Sequence, residues 1–129
     1  MGTLNNEELR QRTMKFALQI MSFVRLLPSG TEGQVMGKQL FRSATSVAAN
    51  YRAAGRARSK AEFISKLSIV VEEADETLFW LELLEESKLC KSPELKKEAA
   101  ELLYIFSASR KTARENLKIT KSQNHQVTK

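Results

Sequence analysis

The fold is decided by residues 59–87, SKAEFISKLSIVVEEADETLFWLELLEES. This stretch begins with a capping box, in which the Ser59 hydroxyl accepts from the amide of Glu62 while the Glu62 side chain reaches back. Apolar residues then recur every three or four positions, which is typical of a helix with one buried face. These residues are Phe63, Leu67, Val70, Ala74, Leu78 and Leu81. The sequence therefore predicts one long helix over about residues 60–87.

Three further segments show the same helical spacing of apolar residues. They cover about residues 5–27, 34–55 and 93–119. The last of them follows Ser92, which suits an N-cap, and begins with Pro93, which suits the first helical position. Together with residues 60–87 they predict four helices joined by short links.

The length and composition limit how these helices can be arranged. A chain of 129 residues is expected to form one domain. Only 5 Gly and 2 Pro occur, too few turn-forming residues for a barrel or sandwich of many short strands. Four helices with short links pack most simply as an antiparallel up-down-up-down bundle. We therefore predict an all-α bundle over residues 1–119, followed by a flexible basic tail at 120–129.

The composition also argues against catalysis and metal binding. Cys90 and His125 are the only cysteine and histidine, too few for a structural zinc site, and no His-based triad is in view. The acids of residues 72–76 lack the Glu-x-x-His repeats of di-iron bundles. We therefore expect no enzyme activity, no cofactor and no metal.

The sequence also indicates where the protein is found. It has no apolar run of about 18 residues, so we expect no membrane span. A single thiol suits a cytoplasmic setting, because cytosolic proteins rarely form disulfides.

The net charge of +6 conceals an uneven distribution along the chain. Residues 35–60 contain six bases and no acid, whereas residues 62–86 contain eight acids and one base. The six bases, which we call the basic face, are Lys38, Arg42, Arg52, Arg56, Arg58 and Lys60. Five further bases lie near the C-terminus: Arg110, Lys111, Arg114, Lys118 and Lys121.

Three interpretations of the basic face remain open. Spaced guanidinium groups suit contacts with nucleic-acid phosphates, to which the C-terminal bases would add. The same residues could instead form a solvated helix surface, or pair with acids across a subunit boundary. No aromatic residue interrupts the face, so stacking on single-stranded bases has no support.

The third predicted helix carries a second line of residues besides its core stripe. Its members are Ile69, Glu73, Glu76, Trp80 and Leu83. An isolated bundle does not need two such lines on one helix, and an exposed tryptophan beside aliphatic residues usually marks an interface. We predict an oligomer interface here, in which Glu73 and Glu76 meet the basic face of a neighbour. The alternative is that Trp80 merely widens the contact with the core.

Ser46 and Asn50 lie one helical turn apart on the second predicted helix. The Asn50 amide is expected to donate a hydrogen bond across to Glu72 or Glu73 and so to tie two helices together. A catalytic role is excluded, because asparagine is neither a general acid nor a general base.

Three stretches together carry a family resemblance: residues 40–59, LFRSATSVAANYRAAGRARS; residues 60–67, KAEFISKL; and residues 73–83, EADETLFWLEL. With them the chain resembles the four-helix bundle proteins of the 23S rRNA intervening-sequence family, over about residues 16–117. Many members carry Glu-Gly shortly after the asparagine, where this chain has Ala54-Gly55.

The resemblance implies a left-handed antiparallel bundle that assembles as a homopentamer. A similar branch, the accessory variability proteins of diversity-generating retroelements, binds nucleic acid and a reverse transcriptase. The resulting hypothesis is a non-enzymatic, self-assembling protein that binds RNA or DNA through its basic face without base specificity. The alternative is an oligomeric scaffold for a protein partner, with the basic face used in subunit contacts.

Overall fold

The computed structural model describes the backbone of residues 6–128 and the side chains of residues 6–123. It contains four helices: α1 (Asn6–Val24), α2 (Thr31–Ala54), α3 (Lys60–Glu86) and α4 (Pro93–Thr128). No strand occurs within these bounds, which confirms the all-α prediction. Consecutive helices pack against one another, and α1 also contacts α4, as in a four-helix bundle.

Contacts between helix ends show that neighbouring helices are antiparallel. The Tyr51 hydroxyl donates to the side-chain oxygen of Asn6, so the end of α2 lies beside the start of α1. Lys96 near the start of α4 pairs with Glu85 at the end of α3. The short link between Ala54 and Lys60 has the same effect on α2 and α3. The chain therefore runs up, down, up and down.

The start of α3 confirms the predicted cap. The Ser59 hydroxyl accepts from the Glu62 amide at 3.0 Å, and Ser59 itself is extended, with φ −151° and ψ 164°. The Glu62 carboxylate reaches back one residue further than expected and accepts from the amide of Arg58 at 3.2 Å. The first contact satisfies an amide that a helix start leaves without an intrahelical partner, and the second ties the link residue Arg58 to the first turn of α3.

The end of α3 has no sequence signal, because no glycine follows it. Lys88 adopts a left-handed conformation with φ 62°, a position usually taken by glycine. The Leu89 amide then donates to the carbonyl of Leu84 at 3.2 Å, and the Lys88 amide donates to Glu85 at 3.0 Å. This pair of bonds is a Schellman motif, which satisfies carbonyls at the helix end.

The turn between α1 and α2 lies about three residues earlier than predicted, because α1 ends at Val24 and α2 begins at Thr31 and not near residue 34. Gly33 therefore lies inside the first turn of the helix, where it passes close to the chain behind it. A Cβ atom on Gly33 would be 2.3 Å from the carbonyl oxygen of Pro28. Glycine is required there for lack of space.

Helix α4 begins as predicted but ends later. The Ser92 hydroxyl accepts from the Leu95 amide at 3.2 Å, and Pro93 is the first helical residue. The helix then continues to Thr128, which corrects the end predicted near Ile119. The apolar stripe of α4 stops near Ile119, and the sequence predicts the end of the helix there. No proline or glycine follows, so the backbone hydrogen bonds of the helix continue although this part has no apolar face to bury.

The apolar stripes of the four helices meet in one core. Its largest wholly enclosed side chains include Phe16, Ile20, Leu40, Leu67 and Phe106. None of the helices within the described bounds is apolar over the length needed to cross a bilayer.

Candidate nucleic-acid interface

The structure divides the basic face into parts with different surroundings. Arg42, in the middle of α2, donates to Glu73 at 2.8 Å and also pairs with Glu76. Both acids belong to α3 of the same chain. The sequence predicts that Glu73 and Glu76 meet a base from a neighbouring subunit, whereas in the structure both accept from a base of their own chain.

Lys38 is separated from the rest of the basic face by distance along the helix. It lies near the start of α2, and Arg52 lies near the end. At about 1.5 Å per residue the two are about 20 Å apart along the helix axis. Lys38 therefore belongs to the opposite half of the bundle.

The remaining four bases cluster where α2 ends and α3 begins. We call them the basic end: Arg52, Arg56, Arg58 and Lys60. All four are exposed. None of them forms an ion pair with any side chain of residues 6–123. They therefore present positive charge to solvent at one end of the molecule.

Antiparallel packing brings the C-terminal half of α4 to the same place. The Lys60 ammonium donates to the Thr120 hydroxyl at 3.3 Å. Beside this contact, a cleft of about 410 Å³ is lined by Arg58 and Lys60 together with Ala113 and Asn116 of α4. The cleft thus joins the α2–α3 link to α4, although the α4 residues that line it are uncharged.

The C-terminal bases of α4 extend the charge of the basic end. Arg114, Lys118 and Lys121 are exposed on the part of α4 that passes the cleft, together with Lys111, whereas Arg110 is half-buried. Because α4 continues to Thr128, Lys121 also belongs to this helix and not to the flexible tail that the sequence predicts from residue 120.

Aromatic side chains near the basic end are turned towards the core. Tyr51 is 6% exposed, and its ring lies 5.0 Å from that of Phe106. Burial raises the pKa of the Tyr51 phenol above its ordinary value. Phe63 lines the cleft but is half-buried against the core. The chemistry of the basic end is accordingly that of phosphate contacts, without a stacking platform.

The predicted oligomer line on α3 is only partly accessible. Trp80 packs against the core cluster, and its indole donates to Glu76 at 3.1 Å, so it does widen the core contact. Ile69 is half-buried, and Leu83 is 37% exposed. Phe79 is outside the predicted line but is 50% exposed, and its ring meets that of Trp80 edge to face with the ring centroids 4.9 Å apart.

The Ser46–Asn50 element bonds within its own helix. The Asn50 amide donates to the backbone carbonyl and the hydroxyl of Ser46, both at 2.9 Å. The predicted hydrogen bond to Glu72 or Glu73 is therefore wrong, because Ser46 one turn earlier offers two nearer acceptors.

A different pair of residues ties α2 to α3. The Ser43 hydroxyl accepts from Thr77 at 2.9 Å and donates to the Leu40 carbonyl at 3.1 Å. Ser43 and Thr77 are both wholly buried. The sequence signal for this tie is a small polar residue in line with the apolar core stripe of each helix.

Among the residues whose side chains are described, no group of three or more His, Cys, Asp and Glu is placed to hold a metal ion.

Comparisons with known proteins identify the family. The family model described as 23S rRNA-intervening sequence protein matches residues 5–108. A crystal structure of a protein of unknown function from the S23 ribosomal protein family of Bacteroides thetaiotaomicron is similar, with a TM-score of 0.76 and 32% identity. The match covers 84% of this chain and 99% of that one. No curated protein matches the chain. These matches confirm the resemblance found from the sequence.

Proposed function

Since the chain belongs to the 23S rRNA-intervening sequence protein family, we propose that it is a non-enzymatic cytoplasmic protein that binds nucleic-acid phosphates. The binding surface is the basic end, and the contacts carry no base specificity. The protein acts as an oligomer, and the resemblance favours a homopentamer.

One observation carries this proposal: four exposed bases lie together at the basic end without acidic partners. Bringing like charges together costs free energy unless a counter-charge is bound, and a nucleic-acid backbone supplies one at regular spacing. Arg42 contributes least, because Glu73 and Glu76 already compensate its charge. The proposed site is therefore narrower than the basic face that the sequence predicted.

Helix α4 enlarges the proposed site. Lys118 and Lys121 lie on the same part of α4 as Thr120, which contacts Lys60. A duplex that lies across the basic end would reach both the α2–α3 link and this helix. In an oligomer several such ends act together, and weak contacts then add up to stronger binding.

The test is a fluorescence-anisotropy titration of a labelled RNA duplex and a DNA duplex of equal length, at several salt concentrations. The variant replaces Arg56, Arg58 and Lys60 with Ala. Because each phosphate contact contributes about 0.9 to the slope of log K against log salt, we expect the slope to fall by about 2 to 3. Affinity at low salt should fall at least about tenfold.

The matched control removes the same amount of charge from the opposite end of the bundle. It replaces Arg25, Lys91 and Lys97 with Ala; all three are exposed and none forms an ion pair among the described side chains. Equal losses in both variants would show an effect of net charge alone and would contradict a site at the basic end. If the wild-type protein binds neither duplex at low salt, the proposal is wrong.

The second candidate is an oligomeric scaffold for a protein partner such as a reverse transcriptase. It is favoured by the half-exposed Phe79 beside Trp80, since exposed aromatic side chains are enriched at protein interfaces. An assembled wild-type protein without affinity for either duplex would favour this candidate. The pairing of Arg42 within its own chain weakens the version in which the basic face holds subunits together.

A further inference from the structure

An apolar groove runs along the outside of the bundle between α1 and α2. We call it the α1/α2 groove; it has a volume of about 750 Å³, and its lining includes Met14, Leu18, Thr45, Ala48 and Ala49. Met14 and Leu18 are each 52% exposed, which is unusual for two apolar neighbours one turn apart. The small side chains on α2 leave the groove open to a bulky side chain from outside.

Basic residues border the α1/α2 groove. Arg10, Lys15 and Arg52 line its edges. Arg10 pairs with Glu7 one turn earlier, whereas Lys15 and Arg52 form no ion pair with any side chain that the structure describes. The groove therefore favours an apolar occupant that carries acids around it.

The same chain presents such a surface on α3. Phe79, Trp80 and Leu83 form what we call the α3 ridge. The ring centroids of Phe79 and Trp80 are 4.9 Å apart. Phe79 and Leu83 are four residues apart, as are Met14 and Leu18, so the two pairs have equal spacing along their helices.

Acidic residues surround the α3 ridge. Glu72, Asp75, Glu82 and Glu86 are all exposed, and helical spacing places them on the same outward face as Phe79. None of them forms an ion pair within residues 6–123. The ridge is thus apolar with an acidic border, and the groove is apolar with a basic one.

We propose that the α3 ridge of one copy docks into the α1/α2 groove of a second copy. This inference rests on the proposed self-assembly and names the two surfaces that carry it. Apolar burial supplies affinity, and the opposite charges orient the two copies. Because the surfaces differ, the contact is head-to-tail, and successive contacts close into a ring or continue as a filament.

The test uses one substitution in each surface, Leu18→Glu and Phe79→Glu. Both side chains are about half exposed, so neither change buries a charge in the core. Leu18→Glu disrupts the α1/α2 groove and leaves the α3 ridge intact, whereas Phe79→Glu disrupts the ridge and leaves the groove intact. Light scattering after size exclusion should show an oligomer for the wild type and monomers for both variants.

Mixing the two variants decides whether the contact is head-to-tail. The intact ridge of Leu18→Glu and the intact groove of Phe79→Glu can form one contact and then no more. We therefore expect a 1:1 heterodimer in the mixture, although each variant alone is a monomer. A mixture that stays monomeric would overturn the pairing of these two surfaces.

Leu26→Glu is the matched control, because Leu26 is 77% exposed and lies outside the groove. It should assemble as the wild type does, and circular dichroism should show equal helicity in all three variants. If the Leu18→Glu variant still forms an oligomer, this inference is overturned and the protein assembles through another surface. A monomeric wild type would overturn self-assembly itself, while duplex binding by the basic end remains a separate measurement.

Discussion

Arg12 on α1 and Glu98 on α4 form a two-point ion pair across the bundle. The Arg12 Nε atom lies 2.7 Å from Glu98 Oε2, and its Nη2 atom lies 2.6 Å from Glu98 Oε1. Glu101, one turn further along α4, also accepts from Arg12 at 2.7 Å. Hydrogen bonding to Glu98 raises the pKa of the Arg12 guanidinium. This cluster joins the first and last helices of the bundle.

Replacing Arg12 with Gln should lower the free energy of unfolding by about 1 kcal/mol, because a planar two-point pair that is three-quarters buried is stronger than an exposed one. Urea denaturation measures the change, and it should shrink in high salt. Arg10→Gln is the control: its pair with Glu7 lies within one exposed helix, so its effect should be smaller. Equal effects of the two changes would contradict a role for Arg12 in closing the bundle.

Ser43 and Thr77 should be energetically coupled, because their hydroxyl groups bond to each other inside the core. Ser43→Ala and Thr77→Val should each cost about 1 kcal/mol, and the double variant should cost less than the sum. A double-mutant cycle in urea measures the difference. Asn50→Ala offers a contrast, since its bonds stay within α2 and its cost should be lower. Strict additivity of the two core changes would refute the tie.

Gly33→Ala should destabilise the protein by about 2 kcal/mol or more, because the new Cβ meets the Pro28 carbonyl, a backbone group that cannot swing away. Gly30→Ala provides the comparison three residues earlier. A Cβ on Gly30 has nothing within 4 Å, and the backbone there is extended, so the change should be close to neutral. Thermal melts of both variants test this, and similar melting temperatures would count against the close approach.

Tyr51 should make the protein less stable at alkaline pH. Its folded pKa is raised by burial, so above about pH 10 the unfolded chain ionises first and stability falls as pH rises. The contribution is fully present below the ordinary tyrosine pKa and is lost as pH rises through the folded value. Tyr51→Phe should therefore show a shallower decline between about pH 9 and 11.

Local features of the helices were largely predictable from the sequence. The caps at Ser59 and Ser92 depend on hydrogen bonds to residues three positions away, and such patterns are visible in the chain itself. The end of α3 was less visible, because Lys88 takes a left-handed position that sequence patterns assign to glycine.

Contacts between helices were much less predictable. The sequence places the positive charge of Arg42 opposite the core and predicts its acidic partners in another subunit. The structure places Glu73 and Glu76 of the same chain within reach. The axial position of each helix relative to its neighbour decides which acid meets which base. Helical periodicity in the sequence does not determine that position.

The sequence by itself determined four amphipathic helices, their order and the sign of charge on each, because these follow from spacing within a few residues. Tertiary structure alone decided that Arg42 is compensated within the chain, while Arg58 is left exposed beside α4 and Arg52 and Arg56 beside the start of α1. The reason is physical: core packing sets the axial position and rotation of each helix, and charges on different helices meet only where packing brings them level.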